Sequence, residues 1–280
     1  MTGTLYIIAA AAVALFLLEH RFPLRRAKSP LGRRLLVNAV VTVLALTTAL
    51  VVVKPVATSV LQLATAKEWG LAALFSDSPV VQAIVVFLLT DLTFYYWHRA
   101  NHAWPLLWRF HNTHHIDPDL DVTTAVRFHF VEIGYSAAFR ALQVTLIGGP
   151  AWAYIAYETA FQLNTLFHHS NVRLPIGVER WLNLVLVTPR MHGIHHSQRF
   201  HEVNSNWSSV FSWWDRLHRT YRADVPQSHI HIGVPGYSLP QDNTVRAVLV
   251  MPFVRQREYW PASDTAALRT REPASVRLAE

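Results

Sequence analysis

The sequence predicts an all-α integral membrane fold, and three observations carry the prediction. Hydrophobic residues make up 51% of the 280 and charged residues only 15%, with a positive mean hydropathy of +0.19. Several apolar runs approach or exceed the length that crosses a bilayer core of about 30 Å. Between those runs, many of the sixteen histidines cluster at helical spacings, against only three methionines in the chain.

Composition also excludes several classes. With no cysteine there is no disulfide framework, no iron–sulfur cluster held by thiolates and no thiolate-ligated haem. Any metal must be held by His, Asp or Glu. The net charge of +7 sits beside apolar runs and in the last quarter of the chain, not on a stripe interleaved with aromatics. Anionic lipid headgroups are therefore the expected partner, and nucleic acid is not.

The first apolar stretch, Thr4 to Leu18, has no basic segment before it. It is followed by a basic loop, His20 to Arg34, without a small-residue cleavage site, so it is not read as a signal peptide. The second runs from Leu35 to Val53 and continues past Lys54 and Pro55 to Leu63, and Val80 to Trp97 forms a third span interrupted by Asp91. The block from Phe130 to Phe167 is too long for one helix and carries Gly148-Gly149-Pro150 at its middle, which predicts a helical hairpin. Arg140 and Glu158 lie equally far on either side of Gly149 and are expected to pair at one depth; snorkelling of Arg140 toward a headgroup is the alternative.

Arg21, Arg25, Arg26, Lys28, Arg33 and Arg34 place the first loop on the cytoplasmic side. The spans then bring every histidine cluster to that same side. Residues 223–280, rich in Pro, Arg and Ala, read as a cytoplasmic peripheral tail following a membrane and catalytic unit, 1–222. No internal repeat is present except the histidine motifs.

His98 and His102 in HRANH are spaced i, i+4. His111, His114 and His115 in HNTHH, and His192, His195 and His196 in HGIHH, are spaced i, i+3, i+4. On helices these separations put the rings on one face. His168 and His169 in FHHSN end the hairpin. Imidazoles converging from four helix ends can fill the coordination spheres of two ions, and neutral imidazole suits iron, copper, nickel and zinc. One i, i+4 pair alone is as well explained as an interfacial anchor; the repetition is what argues for metal. His129, His201, His218, His229 and His231 lack matching partners and read as ordinary interfacial or surface residues. Ligand rings need an acceptor on their other nitrogen. Asp91, two turns before His98, is the first candidate, and Glu132, Asn171, Asn206 and Asp215 follow, with plain capping as the alternative.

These motifs resemble the fatty acid hydroxylase/sterol desaturase superfamily, over about Asp91 to Tyr221. HRANH, HNTHH and HGIHH look like its three histidine boxes, TTAVRFHFVE like its connecting segment, FHHSN like its fourth histidine element and SWWDRLHRTY like its closing segment. The resemblance implies about four transmembrane or hairpin helices and a cytosolic helical cap carrying a histidine-rich di-metal site. It carries over His98, His102, His111, His114, His115, His168, His192, His195 and His196 as ligands, with His169 as ligand or close neighbour. Asn164 departs from the pattern, standing where fatty acid 2-hydroxylases have a further histidine, which suggests an empty or water-filled coordination site. LHRT and NWS also depart from the usual turn sequences.

The expected activity is that of a non-haem di-iron oxygenase, in which two iron ions use O2 to hydroxylate or desaturate a lipid. Zinc is the substitute ion. Sterol, fatty acyl chain, carotenoid and alkylglycerol all fit as substrates. The chain shows no flavin, nicotinamide or haem motif, so electrons are expected from a separate electron-transfer protein. A membrane di-zinc lipid hydrolase is the rival enzyme class, and a metal-binding transporter or sensor is the rival outside catalysis.

Overall fold

The computed structural model describes residues 2–266, all of whose regular elements are helical; residues 267–280 of the expected tail lie outside the described residues. Three stretches are long and apolar enough to cross a membrane. These are Gly3–Arg21, Leu31–Ala66 and Pro79–Ala103. The first is the body of α1 (Thr2–Arg21). The second is one continuous rod made of α2 (Leu31–Thr48), a π-helical turn at Ala49–Val53 and α3 (Lys54–Ala66). The π turn lies just ahead of Pro55, whose missing N–H and ring would otherwise interrupt the ladder. This is why the apolar run continues past Lys54 and Pro55.

After the short α4 (Ala72–Phe75), the third span is α5 (Pro79–Ala103). At about 1.5 Å per residue, His98 stands roughly 28 Å from Pro79, close to the thickness of the hydrocarbon core. The last turns of α5 therefore emerge where the bilayer ends. Pro105 opens α6 (Pro105–His115), and Trp104 before it is extended, as a residue preceding proline prefers.

The expected hairpin is α7 (Phe130–Ile147) and α8 (Ala151–His169). Its turn uses Gly148 at φ 64 and Gly149 at φ 88. The loop after α3 presses directly on this turn. A Cβ on Gly148 would lie 2.0 Å from the Trp69 carbonyl oxygen, and one on Gly70 2.3 Å from the Gly148 nitrogen. Around it a distal core forms from Ala64, Ala72, Ala83, Val86, Val144, Ile147, Ala153 and Tyr154. Arg140 and Glu158 do pair across the hairpin, at 2.5 Å, and the guanidinium also lies 4.3 Å over the Phe94 ring. The exposed face of α2 and the π turn after it is an apolar stripe, Leu36, Val43, Leu46 and Leu50, as a lipid-facing helix requires. The chain is an integral membrane protein.

At the other end of the bundle, the remaining chain folds over the helix ends through α9 (Ile176–Leu182), α10 (Pro189–His195), α11 (Phe200–Val203), α12 (Trp213–Leu217), α13 (Val245–Val250) and α14 (Ala262–Ala266). Two buried polar clusters fasten it. Asp91 on α5 accepts from the backbone nitrogens of Val210 and Phe211, from Trp214 Nε1 and from the Tyr157 hydroxyl, at 2.7–3.2 Å. Arg34 on α2 binds Asp117 and Asp121, while Arg127 reaches the Thr113 carbonyl, Asn38 and Asn243.

Two expectations change here. Arg34, counted among the loop charges, is buried in this network at 2% exposure. The described part of the segment after residue 222 packs into the fold, because Val234, Tyr237, Val248 and Met251 share one core with Val37 and Val41 of α2 and Trp108 of α6. Proline and arginine content suggested a solvated tail, whereas the apolar residues between them fill the gap beside α2 and α6.

Two outcomes follow for stability. Replacing Asp91 with Ala strands four donors in a dry site and is expected to destabilise the protein by about 3 kcal/mol or more, read as a lower melting temperature in detergent; an unchanged melt would show that the 210–214 segment docks by other contacts. Gly148→Ala is expected to cost more than about 1 kcal/mol from its left-handed φ alone, before the clash with Trp69. Full retention of thermal stability in that variant would contradict the close approach of the two loops.

Candidate metal centre

All three histidine motifs sit at helix ends that meet at one point. His98 and His102 occupy the last turns of α5, and His111, His114 and His115 the end of α6. His168 and His169 close α8, while His192 and His195 lie on α10 with His196 as its C-cap. Pro189 sets the start of α10 after the extended Thr188. Gly193 has no side chain because Arg25 occupies that space: a Cβ there would lie 2.4 Å from the guanidinium, which binds Gln227 Oε1 at 2.6 Å.

The ring nitrogens form two sets. His98, His102, His115 and His195 offer atoms within 4.8 Å of one another, and so do His114, His169, His192 and His196. Two HH doublets, His114–His115 and His195–His196, are divided between the sets. Successive helical residues point about 100° apart, so His114 and His115, like His195 and His196, face different centres. His111 and His168 adjoin the sets without entering them. The His111 ring centroid is 5.0 Å from those of His102 and His115, and the His168 ring is 4.2 Å from that of His192. The hairpin thus brings His169, rather than His168, into a four-nitrogen set.

The donor set fits metal. In the second set, His169 Nε2 lies 3.0 Å from His114 Nε2 and 3.0 Å from His192 Nε2, and His192 Nε2 lies 3.1 Å from His196 Nε2. Neighbouring nitrogens on one ion at about 2.1 Å, bound at right angles, are separated by about 3.0 Å. In and beside the first set, the Nε2 atoms of His102, His111, His115 and His195 are buried without a hydrogen-bond partner, an unfavourable state for polar atoms unless something coordinates them. Burial first, then the neighbouring imidazoles, holds His114, His115, His192, His195 and His196 well below their ordinary titration range. These rings are neutral at neutral pH, the form that ligates metal.

Four rings have their outer nitrogen fixed. His111 Nδ1 is 2.8 Å from Glu132 Oε1. His98 Nδ1 meets the Trp207 carbonyl at 2.9 Å, His195 Nδ1 the Ser205 carbonyl at 2.8 Å and His169 Nδ1 the Thr165 carbonyl at 2.8 Å. Each such bond turns Nε2 toward the centre. Of the five acceptor candidates named from the sequence, Glu132 is the one that meets a clustered ring. The hydrogen bonds of Asp91 all go to the 210–214 segment and Tyr157 rather than to a ring, and Asn171 is spent on Arg25. Asp215 works at one remove, accepting from the backbone nitrogens of Trp207 and Ser208, which fixes the carbonyl under His98. Asn206 supports the same loop through Met191 and Arg222, at a left-handed φ of 56. The Asn164 amide nitrogen donates to the Ser209 carbonyl at 2.7 Å and sits 3.3 Å from His168 Nδ1.

The three backbone carbonyls carry no sequence signal and were not foreseen. His129, read as an ordinary residue, is buried; it caps α7 by accepting from the Val131 nitrogen and reaches the Leu249 carbonyl. The Arg34–Asp117–Arg127 cluster behind α6 was also missed, although its signal is the IDPDLD run directly after HNTHH. Asp117 is drawn to about 2, because Arg34 and Arg127 outweigh the burial that would raise it. Phe128 stacks on His114 at 4.5 Å and Trp108 packs 4.8 Å from His102, so apolar walls close much of the centre to water.

Comparison with known proteins agrees with this geometry. The fatty acid hydroxylase family model matches residues 83–220. An ornithine lipid hydroxylase of Rhizobium tropici is 32% identical over 157 residues, which are 55% of this chain and 46% of that protein. Human alkylglycerol monooxygenase is 30% identical over 141 residues, 49% of this chain and 30% of that protein. Human cholesterol 25-hydroxylase is 27% identical over 143 residues, 50% of this chain and 51% of that protein. The matches thus span about half or less of these relatives' own lengths. No solved structure matches the chain. The matched region holds all ten clustered histidines, and with them this chain belongs to the fatty acid hydroxylase/sterol desaturase superfamily.

Proposed function

We propose that the chain is a membrane-bound oxidoreductase that uses a pair of iron ions and O2 to hydroxylate or desaturate a lipid. The observation that carries this reading is the division of eight histidines into two adjacent four-nitrogen sets at the ends of membrane helices. His98, His102, His115 and His195 would hold one ion, and His114, His169, His192 and His196 the other, with His111 and His168 as adjoining ligands. The redox metal supplies the oxidation of an unactivated C–H bond, which protein side chains alone do not perform.

The chain's own residues hold and shield the centre. Glu132 and the carbonyls of Thr165, Ser205 and Trp207 keep the ligand rings in one tautomer and orientation. Trp108 and Phe128 exclude water. His98 and His102, on α5, are the less buried members of the first set, while all four of the second are buried, which favours substrate approach from the α5 side. The named lipids of the relatives, an ornithine lipid, an alkylglycerol and cholesterol, support an apolar lipid substrate as a class. The exposed Arg21, Arg26, Lys28 and Arg33 at the histidine end support a cytoplasmic placement of the centre, where a separate electron-transfer protein would supply reducing equivalents.

Two measurements test this reading. Protein purified anaerobically with iron is expected to hold close to two ions per chain. His195→Ala and His192→Ala, one from each set, should each remove about one while leaving the protein in the membrane fraction; unchanged stoichiometry in both would refute the ligand assignment. Cells expressing the protein under 18O2, with competent electron donors, are expected to accumulate a lipid that carries the label or a new double bond, and wild-type lipid profiles identical to those of a His111→Ala strain would overturn the oxygenase.

A further inference from the structure

Outside the metal centre, a groove of about 330 Å³ lies on the C-terminal segment. One part of its wall is cationic, from Arg246, Arg255 and Arg257, and another is apolar, from Val250, Met251 and Val254. Arg257 is engaged with Asp242 and lies over the Tyr237 ring. Arg246 and Arg255 are exposed and form no ion pair among the described residues. Beside the groove, Phe253 is 60% exposed although it is one of the larger apolar side chains of the cap.

The level of this groove in the fold decides what it meets. α13, which forms one wall, buries Val248 in a core with Val37 and Val41 of α2. On the same turns of α2, Leu36 and Val43 are 63% and 61% exposed on another face, so the lipid-facing stripe begins at this depth. A groove beside the upper turns of a membrane helix, with guanidinium groups next to valine and phenylalanine, opens onto the boundary between headgroup and acyl chain. We propose that it is a binding site for the phosphate headgroup of an anionic phospholipid, with Arg246 and Arg255 on the phosphate and Val250, Phe253 and Val254 against the first part of the acyl chain. The proposal rests on the membrane placement of α2 and not on the chemistry of the histidine centre, so it stands or falls apart from the oxygenase reading.

The test uses the full chain in detergent, prepared without added metal so that lipid binding is read apart from activity. Native mass spectrometry during titration with phosphatidylglycerol or phosphatidylcholine is expected to show one phosphatidylglycerol retained at least ten-fold more tightly than phosphatidylcholine. Raising the salt concentration should weaken that preference. Arg246→Gln/Arg255→Gln should abolish it, whereas Arg219→Gln, at an exposed position on another loop, should leave it intact. Far-UV circular dichroism and an unchanged melting temperature establish that the double variant is folded; should it unfold, the single Arg255→Gln is expected to lower the preference by itself. Equal retention of the two lipids by the wild type, the same preference in a folded Arg246→Gln/Arg255→Gln variant, or a groove that instead captures an acidic soluble protein would each overturn the site.

Discussion

The structure is organised by the burial of ten imidazoles against one another. Most lie at 4% exposure or less, including His111, His114, His115, His168, His169, His192, His195 and His196. A buried ring that gains a proton acquires a charge with no solvent to stabilise it, and here each ring has several others beside it. The cluster therefore favours neutral rings, and four of them, His98, His111, His169 and His195, have one nitrogen held by an acceptor. Much of the architecture near the centre supplies those acceptors. Glu132 comes from α7, the Thr165 carbonyl from α8, and the Ser205 and Trp207 carbonyls from the loop that follows α11.

Backbone acceptors serve only if their loop is held still. The 205–215 loop is pinned three ways. Asn206 takes a left-handed φ and binds Met191 and Arg222, Asp215 gathers the Trp207 and Ser208 nitrogens, and Asp91 draws Val210 and Phe211 onto α5. Asp91 is thus one step from the chemistry. It connects the membrane span to the loop that orients His98 and His195. The acids and amides around the centre divide into those that touch a clustered ring, Glu132 on His111 and Asn164 on His168, and several that secure the scaffold on which the ring partners sit.

A second buried charge cluster supports α6 from behind. Arg34 and Arg127 neutralise Asp117 and Asp121 in a space that also holds Asn38, Thr124 and Asn243. Buried ions are costly unless their hydrogen bonds are satisfied, and here the guanidinium groups are met by carboxylates, carbonyls and amides. The arrangement locks the end of α6, hence His114 and His115, to α2 and to the C-terminal segment. It explains why that segment belongs to the same packed unit as the membrane helices.

The sequence by itself determined the helical class, the long apolar rods, the Gly148-Gly149 hairpin with its Arg140–Glu158 pair, and the histidines that converge. Each of these rests on local periodicity, on a backbone requirement or on the high cost of a lone charge in an apolar environment, and all three are written into neighbouring residues. Only the tertiary structure decided which nitrogens share a centre, that His169 enters a set while His168 stands beside it, that Asp91 holds a loop instead of a ring, and that residues after 222 complete the core. Those outcomes depend on backbone carbonyls, which look alike in every residue, and on contacts between residues such as Arg127 and Asn243 or Val37 and Val248, whose meeting no local pattern encodes.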